Sequence, residues 1–189
     1  MIPNYLTHYH RQSPFRTLSD LAPGDADDLV ARLTKERSLP FRLTHAEYMP
    51  RRRQIEQQIR HAFVEKGGRP TRGNPHYMIL GRSPYWEKME PNVVVVPLAH
   101  FPSDIISFTY TDSFYTFSDA TLRGRPIPLK PHRRTVYRLH ELDEVVREFG
   151  MPPGYANVNE EFDVYIEAQI WDDQPLQESL QTSPEKSAI

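Results

Sequence analysis

Eight histidines, a late glutamate on an alternating segment and two arginine-rich stretches carry most of what this sequence offers for chemistry. His8 and His10 stand at i and i+2 in Tyr5-Leu6-Thr7-His8-Tyr9-His10, a spacing that puts both imidazoles on one face of a strand, within reach of a single ion. Spacing selects no third ligand, because His45 and His61 belong to a helical region and no HExxH pair occurs; no metal site is expected. The chain contains no Cys, which excludes thiolate-ligated zinc, iron–sulfur clusters, thiol nucleophiles and a disulfide scaffold. It lacks a GxSxG elbow, a Walker A loop and GxGxxG, so serine-hydrolase, P-loop and dinucleotide-fold chemistry find no support. Glu167 is the one carboxylate whose pattern singles it out. In Phe162 to Trp171 the residues Phe162, Val164, Ile166, Ala168 and Ile170 alternate with Asp163, Tyr165, Glu167, Gln169 and Trp171, which reads as a half-buried strand with Glu167 on its polar face.

The elements that must hold these residues follow from periodicity. Tyr5 to His10 is rich in aromatic and β-branched residues and predicts a strand ending before Ser13-Pro14. Pro23, the acids Asp25, Asp27 and Asp28, and Leu29, Val30 and Leu33 at helical spacing predict a helix from about Pro23 to Arg37. Thr44-His45-Ala46-Glu47 has the form of a capping box. The helix it opens carries Tyr48, Ile55, Ile59, Ala62 and Phe63 on one side, is kinked or restarted at Pro50, and stops at Gly67-Gly68. From Pro75 the period becomes two: strands are expected at His76 to Leu80, Val93 to Leu98, Ile105 to Tyr110 and Phe114 to Phe117, with a short one at Val136 to Leu139. The unbroken Val93-Val94-Val95-Val96 predicts a central strand covered on both faces. Leu142, Val145, Val146 and Phe149 define one face of a later helix closed by Gly150. Arg123 to Arg134 reads as a long exposed loop and residues 174–189 as a polar, disordered tail. These elements predict one α+β domain over residues 1–173, with two N-terminal helical segments and one later helix packed on a mixed, largely antiparallel sheet.

At 189 residues the chain is long enough to bury its own core without a staple. Its 18 prolines and 8 glycines favour many short elements with stiff connections, and 11% aromatic content argues against disorder of the whole. No apolar run spans a bilayer, and the first residues lack a basic n-region and an apolar h-region, so a cytoplasmic bacterial protein is expected. The near-neutral total conceals segregation: residues 51–72 hold seven basic and two acidic residues, 123–138 six basic and none acidic, and 139–173 ten acidic and one basic. One reading is internal pairing. The other sets Arg51, Arg52, Arg53, Arg133 and Arg134 against phosphates of a ligand or nucleic acid, since guanidinium forks match phosphate oxygens. The aromatic and hydroxyl-rich stretch from Pro97 to Phe117 is also composed as an interface would be, which makes a protein- or nucleic-acid-binding module without chemistry the alternative to an enzyme.

Tyr5-Leu6-Thr7-His8 resembles the short Thr-His strand that opens bacterial ADP-ribosyltransferase toxins acting on DNA, and Ile166-Glu167-Ala168 resembles their late Glu strand. The likeness covers about a dozen residues. It implies a compact, mainly β domain that grips NAD, with Thr7 and His8 at the nicotinamide end, Glu167 as the catalytic carboxylate and an arginine of a basic segment on the phosphates. Tyr110 or Tyr115 would then stack on the nicotinamide ring.

Overall fold

β1 (Tyr5–His10) is the second strand of a five-stranded sheet ordered β3-β1-β2-β5-β4, and every ladder in it is antiparallel. The computed structural model describes residues 2–35, 48–117, 130–152 and 164–182. The other strands are β2 (His76–Leu80), β3 (Asn92–Pro97), β4 (Ile106–Tyr110) and β5 (Ile166–Ile170). Helices α1 (Pro23–Lys35) and α2 (Tyr48–Glu65) precede β2, α3 (Pro84–Met89) and α4 (Ser113–Thr116) lie between strands, α5 (Leu142–Phe149) precedes β5, and α6 (Gln174–Thr182) follows it. The fold is α+β. Among the described residues no helix is long and apolar enough to cross a membrane.

Strand alternation divides the side chains between two faces. Leu6, Met78, Leu80, Val96, Ile106, Phe108, Ile166, Ala168 and Ile170 share one face and form the main core with Leu142 and Val145 of α5 and Leu176 of α6. On the opposite face Trp171, just past β5, stacks on Phe63 of α2 with ring centroids 6.1 Å apart, and Ile55 and Ile59 complete that contact. The sheet is therefore enclosed between α2 on one side and α5 with α6 on the other.

Six expectations are corrected. β3 is an edge strand, not a central one: Val93 and Val95 share a face with Thr7 and Tyr9 and are 54% and 51% exposed. β-branched residues favour any strand, so a valine run does not report how many faces are covered. Phe114 to Phe117 begins as the one-turn helix α4, because the Asp112 side chain caps the Tyr115 amide at 3.1 Å after Thr111 has turned the chain at φ 89°. Val136 to Leu139 makes one bridge, Tyr137 to Phe108, and passes into a 3-10 turn at Leu139–Glu141. β5 is buried on both faces instead of half-buried, because it lies between β2 and β4 and its polar face is covered. Residues 174–182 are not tail but α6, held by burial of Leu176 and Ser179. Pro50 falls in the first turn of α2, where its missing N–H leaves no hydrogen bond unmade, so no kink is needed there. The Thr44 to Glu47 capping box and most of the Arg123 to Arg134 segment lie outside the described residues.

The end of α2 shows how tightly the second core is closed. Gly67 takes φ +81°, and the Gly68 amide donates to the Phe63 carbonyl at 2.9 Å, returning the chain over the last turn. A Cβ on Gly68 would lie 2.5 Å from the Phe63 ring, which is fully buried, stacked on Trp171 and covered by the Arg138 guanidinium. Gly68→Ala is expected to destabilise the fold by about 1–3 kcal/mol, the usual effect of overpacking, read as a lowered midpoint in urea unfolding with an unchanged slope.

Candidate functional site

The face of the sheet beneath α2 carries hydroxyl, amide and carboxyl groups where a sheet core is ordinarily apolar. Register sets Thr7 opposite Ile79, Ile79 opposite Glu167 and Glu167 opposite Thr109, so these four side chains form one row across β1, β2, β5 and β4. Thr7 and Glu167 are two strands apart, roughly 10 Å at the usual strand spacing. Beside the row, Ser107 donates to Gln169 Oε1 at 2.9 Å, while Gln169 Nε2 donates to Thr109 Oγ1 and Glu167 Oε1, each at 3.1 Å. Glu167 Oε1 also accepts the Ser113 amide at 3.2 Å. Among the described residues Glu167 Oε2 has no hydrogen-bond partner, and Thr7 Oγ1 is buried without one.

Burial, and then the nearby Asp112 carboxylate, push the Glu167 carboxyl up to about 8; the Ser113 and Gln169 bonds and the Arg52 charge oppose the shift without cancelling it. Asp112 accepts the Tyr165 hydroxyl at 2.9 Å, and burial raises that phenol well above its ordinary range. A second buried cluster adjoins the first. Arg52 lies 4.4 Å over the Tyr77 ring, donates through Nε to Glu56 Oε1 at 3.1 Å and through Nη1 to the Tyr48 hydroxyl at 3.0 Å. The same Glu56 oxygen accepts Ser19 Oγ at 2.9 Å and the Tyr77 hydroxyl at 3.0 Å. Burial raises the Tyr77 phenol as well, so it remains a donor across the physiological range.

Next to Arg52 and Tyr77 opens a cavity of about 200 Å³, lined also by His8, Arg16, Thr17, Leu18 and His76. It lies where β1 and β2 part: the two strands pair at Leu6 and Thr7, and beyond them the segment bearing Phe15 folds back. His8 fills that fork. Its Nδ1 lies 2.9 Å from the Tyr77 carbonyl and its Nε2 accepts the Phe15 amide at 3.0 Å, which defines a neutral ring protonated at Nδ1. Burial lowers its pKa to about 4.

The structure thus joins some of the residues expected from sequence and separates others. Thr7 and Glu167 share a face. The His8 side chain projects from the other face, and contact with a ligand through its nitrogens would require breaking one of its two bonds. Tyr110 also lies on the other face, packed on His132 and Phe149 with its hydroxyl donated to the Phe149 and Gly150 carbonyls, so stacking on a ligand beside Glu167 is not its role. Tyr115 is buried in α4 with the Arg133 guanidinium 5.7 Å over its ring, and Arg51 lies 5.4 Å over Phe114 of the same helix. The two basic segments therefore meet around α4. Arg53 donates to the Leu21 carbonyl, and the Arg134 amide donates to the Thr116 carbonyl. His8 and His10 stack 5.7 Å apart, and among the described residues no group of three or more His, Asp or Glu is arranged to hold a metal ion. Arg16, Glu56, His76, Tyr77 and Asp112 were not anticipated; only the Asp112-Ser113 cap left a sequence signal, because the others acquire meaning through contacts between distant segments. Compared with known protein families, characterised proteins and solved structures, the chain matches none.

Between pH 4.5 and about 8 the folded chain keeps a proton on Glu167 that the unfolded chain releases, so this group's stabilising contribution is full at low pH and is lost as pH rises through 8. Glu167→Gln mimics the protonated form. Its melting temperature is expected to match the parent near pH 5 and to exceed it by several degrees at pH 9, at about 2–4 °C per kcal/mol for a chain of this size. Parallel melting curves across that range would show that Glu167 is ionised in the fold at all these pH values.

Proposed function

We propose that the chain is an NAD-using transferase of the ADP-ribosyltransferase type, with Glu167 as its carboxylate. The observation that carries this reading is the row across the sheet: Thr7 of the first strand and Glu167 of the late strand lie on one face, Thr7 Oγ1 buried without a hydrogen-bond partner and Glu167 bonded among the described residues through Oε1 alone. The Thr7–Glu167 pair is the part of the resemblance that depends on tertiary structure, since nothing in a linear sequence sets β1 and β5 in one sheet, either side of β2, with matched parity. The donor set also fits a nicotinamide nucleotide. Thr7 Oγ1 supplies a hydroxyl for a carboxamide, and Glu167 Oε2 supplies an acceptor for ribose hydroxyls.

NAD supplies an ADP-ribosyl group whose bond to nicotinamide is weak, and positive charge develops on the ribose as that bond breaks. A carboxylate held in a desolvated setting stabilises such charge far more than one in water. Glu167 is held by Ser113 and Gln169 through Oε1, so Oε2 keeps a fixed direction. His8 acts as a positioning residue, tying β1 to the Tyr77 carbonyl and the Phe15 loop, and thereby setting Thr7 in register. Only the ionised Glu167 can serve, and the neighbouring Asp112 opposes ionisation.

Ligand-observed NMR of NAD with the purified chain tests the reading. Saturation of the nicotinamide protons is expected with the parent protein and is reduced by Thr7→Val. Turnover of NAD is expected to rise with pH towards 8, and Glu167→Gln should lower it by about 10²–10³-fold, the usual effect of removing one charge-stabilising group. Absence of any saturable contact at millimolar NAD overturns the assignment.

A further inference from the structure

We infer that the cavity at the β1–β2 fork is a binding site for a phosphate monoester, taken up together with a proton on His76. The inference goes beyond the NAD reading and needs neither Thr7 nor Glu167. Four residues with donor groups line this cavity, from three separate segments. Arg16 is exposed and has no ion pair or hydrogen bond among the described residues. Arg52 uses Nε on Glu56 and Nη1 on Tyr48, which leaves Nη2 for a ligand. Thr17 accepts the Ser19 amide at 3.4 Å and so retains its hydroxyl proton for donation. His76 is the fourth.

The His76 side chain is 6% exposed; its Nε2 lies 2.7 Å from Asp173 Oδ1, and its Nδ1 is buried with no hydrogen-bond partner among the described residues. A buried nitrogen left unpaired is costly unless something meets it. In the neutral ring Nε2–H donates to Asp173 and Nδ1 offers a lone pair, which would repel an anion; in the cation Nδ1–H donates to one. The surroundings favour the neutral ring while the cavity holds no anion. Burial lowers its pKa, the Asp173 hydrogen bond and charge and the Asp20 charge oppose the shift without cancelling it, and Arg72, which bridges Asp173 and Asp20, adds to the lowering. His8 from β1 lines the same cavity as a neutral ring, beside Arg16 and Arg52. An oxyanion between the two guanidiniums reverses that balance.

The chemistry of the donors selects the ligand class. Two arginine forks, one hydroxyl and one imidazolium match the several acceptor oxygens of a phosphate dianion better than the two of a carboxylate. A volume of about 200 Å³ is below the usual range for a whole drug-sized ligand, so a dinucleotide does not fit within it.

Sulfate stays a dianion across the working pH range and is therefore the probe that isolates the protein's proton. Calorimetric titration of the full chain with sulfate between pH 5.5 and 8 is expected to give saturable binding that weakens by up to about tenfold per pH unit once His76 must be protonated on binding, with proton uptake seen as a dependence on buffer ionisation heat. Arg16→Gln, a change at an exposed side chain, should weaken binding about tenfold at every pH, and His76→Gln should leave a weaker, pH-independent affinity. If His76→Gln does not fold, imidazole 15N shifts of the parent protein, expected to move to the imidazolium position on adding sulfate, read the same event. Ribose 5-phosphate is expected to compete with sulfate for the cavity in parallel titrations. Affinity that is independent of pH, binding unaltered in Arg16→Gln, no binding at tens of millimolar sulfate, or a monoester that fails to compete with sulfate would each overturn the assignment. NAD contact at Glu167 is read in a separate titration, so either proposal can fail alone.

Discussion

One carboxylate oxygen, Glu56 Oε1, ties together the elements on which the polar side of this protein depends. It accepts Ser19 from the turn before α1, Arg52 from the preceding turn of α2 and Tyr77 from β2, and the residue is fully buried. A buried charge is tolerable only when it is met in this way, and removing one partner of such a cluster commonly destabilises by about 3–5 kcal/mol. The consequence is positional. Arg52 cannot leave the Tyr77 ring, α2 cannot slide along the sheet, and the Ser19 turn is held against both, so the cavity and the Glu167 row keep fixed walls.

The polar face under α2 also explains why the sheet has a helix on either side yet is not apolar on both. The opposite face is an ordinary hydrophobic core, which supplies the driving force for collapse. Ser107, Thr109, Gln169 and Glu167 instead satisfy one another in a chain of hydrogen bonds that ends at Glu167, where one oxygen is left over. A network of this kind specifies register, because a slip of one residue would drive these groups into the apolar core.

Much of the architecture was legible in the sequence. β1 and β2 match their periodic runs residue for residue, and α1, α5 and the end of α2 at the paired glycines follow from caps, periodicity and glycine placement. The failures share a cause, which is that period reports local geometry and not neighbours. Four valines look the same at an edge as in the middle, and an alternating strand with a polar face looks half-exposed even when a helix covers that face. The aromatics of Phe114 to Phe117 suggest a strand, whereas the Asp112 cap decides its conformation. For the site, Glu167 could be singled out by alternation, but its pairing through Ile79 with Thr7 depends on strand order. His76 and Asp173 are 97 residues apart, and no local pattern links them.

The joint between β1 and β2 has a mechanical meaning. β1 pairs with β3 over six residues but with β2 over two, Leu6 and Thr7, so the sheet consists of a two-strand ribbon and a three-strand ribbon sewn together along a short seam. Such a seam is the natural first place for a sub-global opening, in which the ribbon of β1 and β3 parts from the remainder while each ribbon stays intact. His8 and the Phe15 loop, with one imidazole bonded to both sides, act as its clasp. The cavity straddles the same seam, with His8 contributed by one ribbon and His76 and Tyr77 by the other, so whatever occupies it also locks the two halves of the sheet to each other.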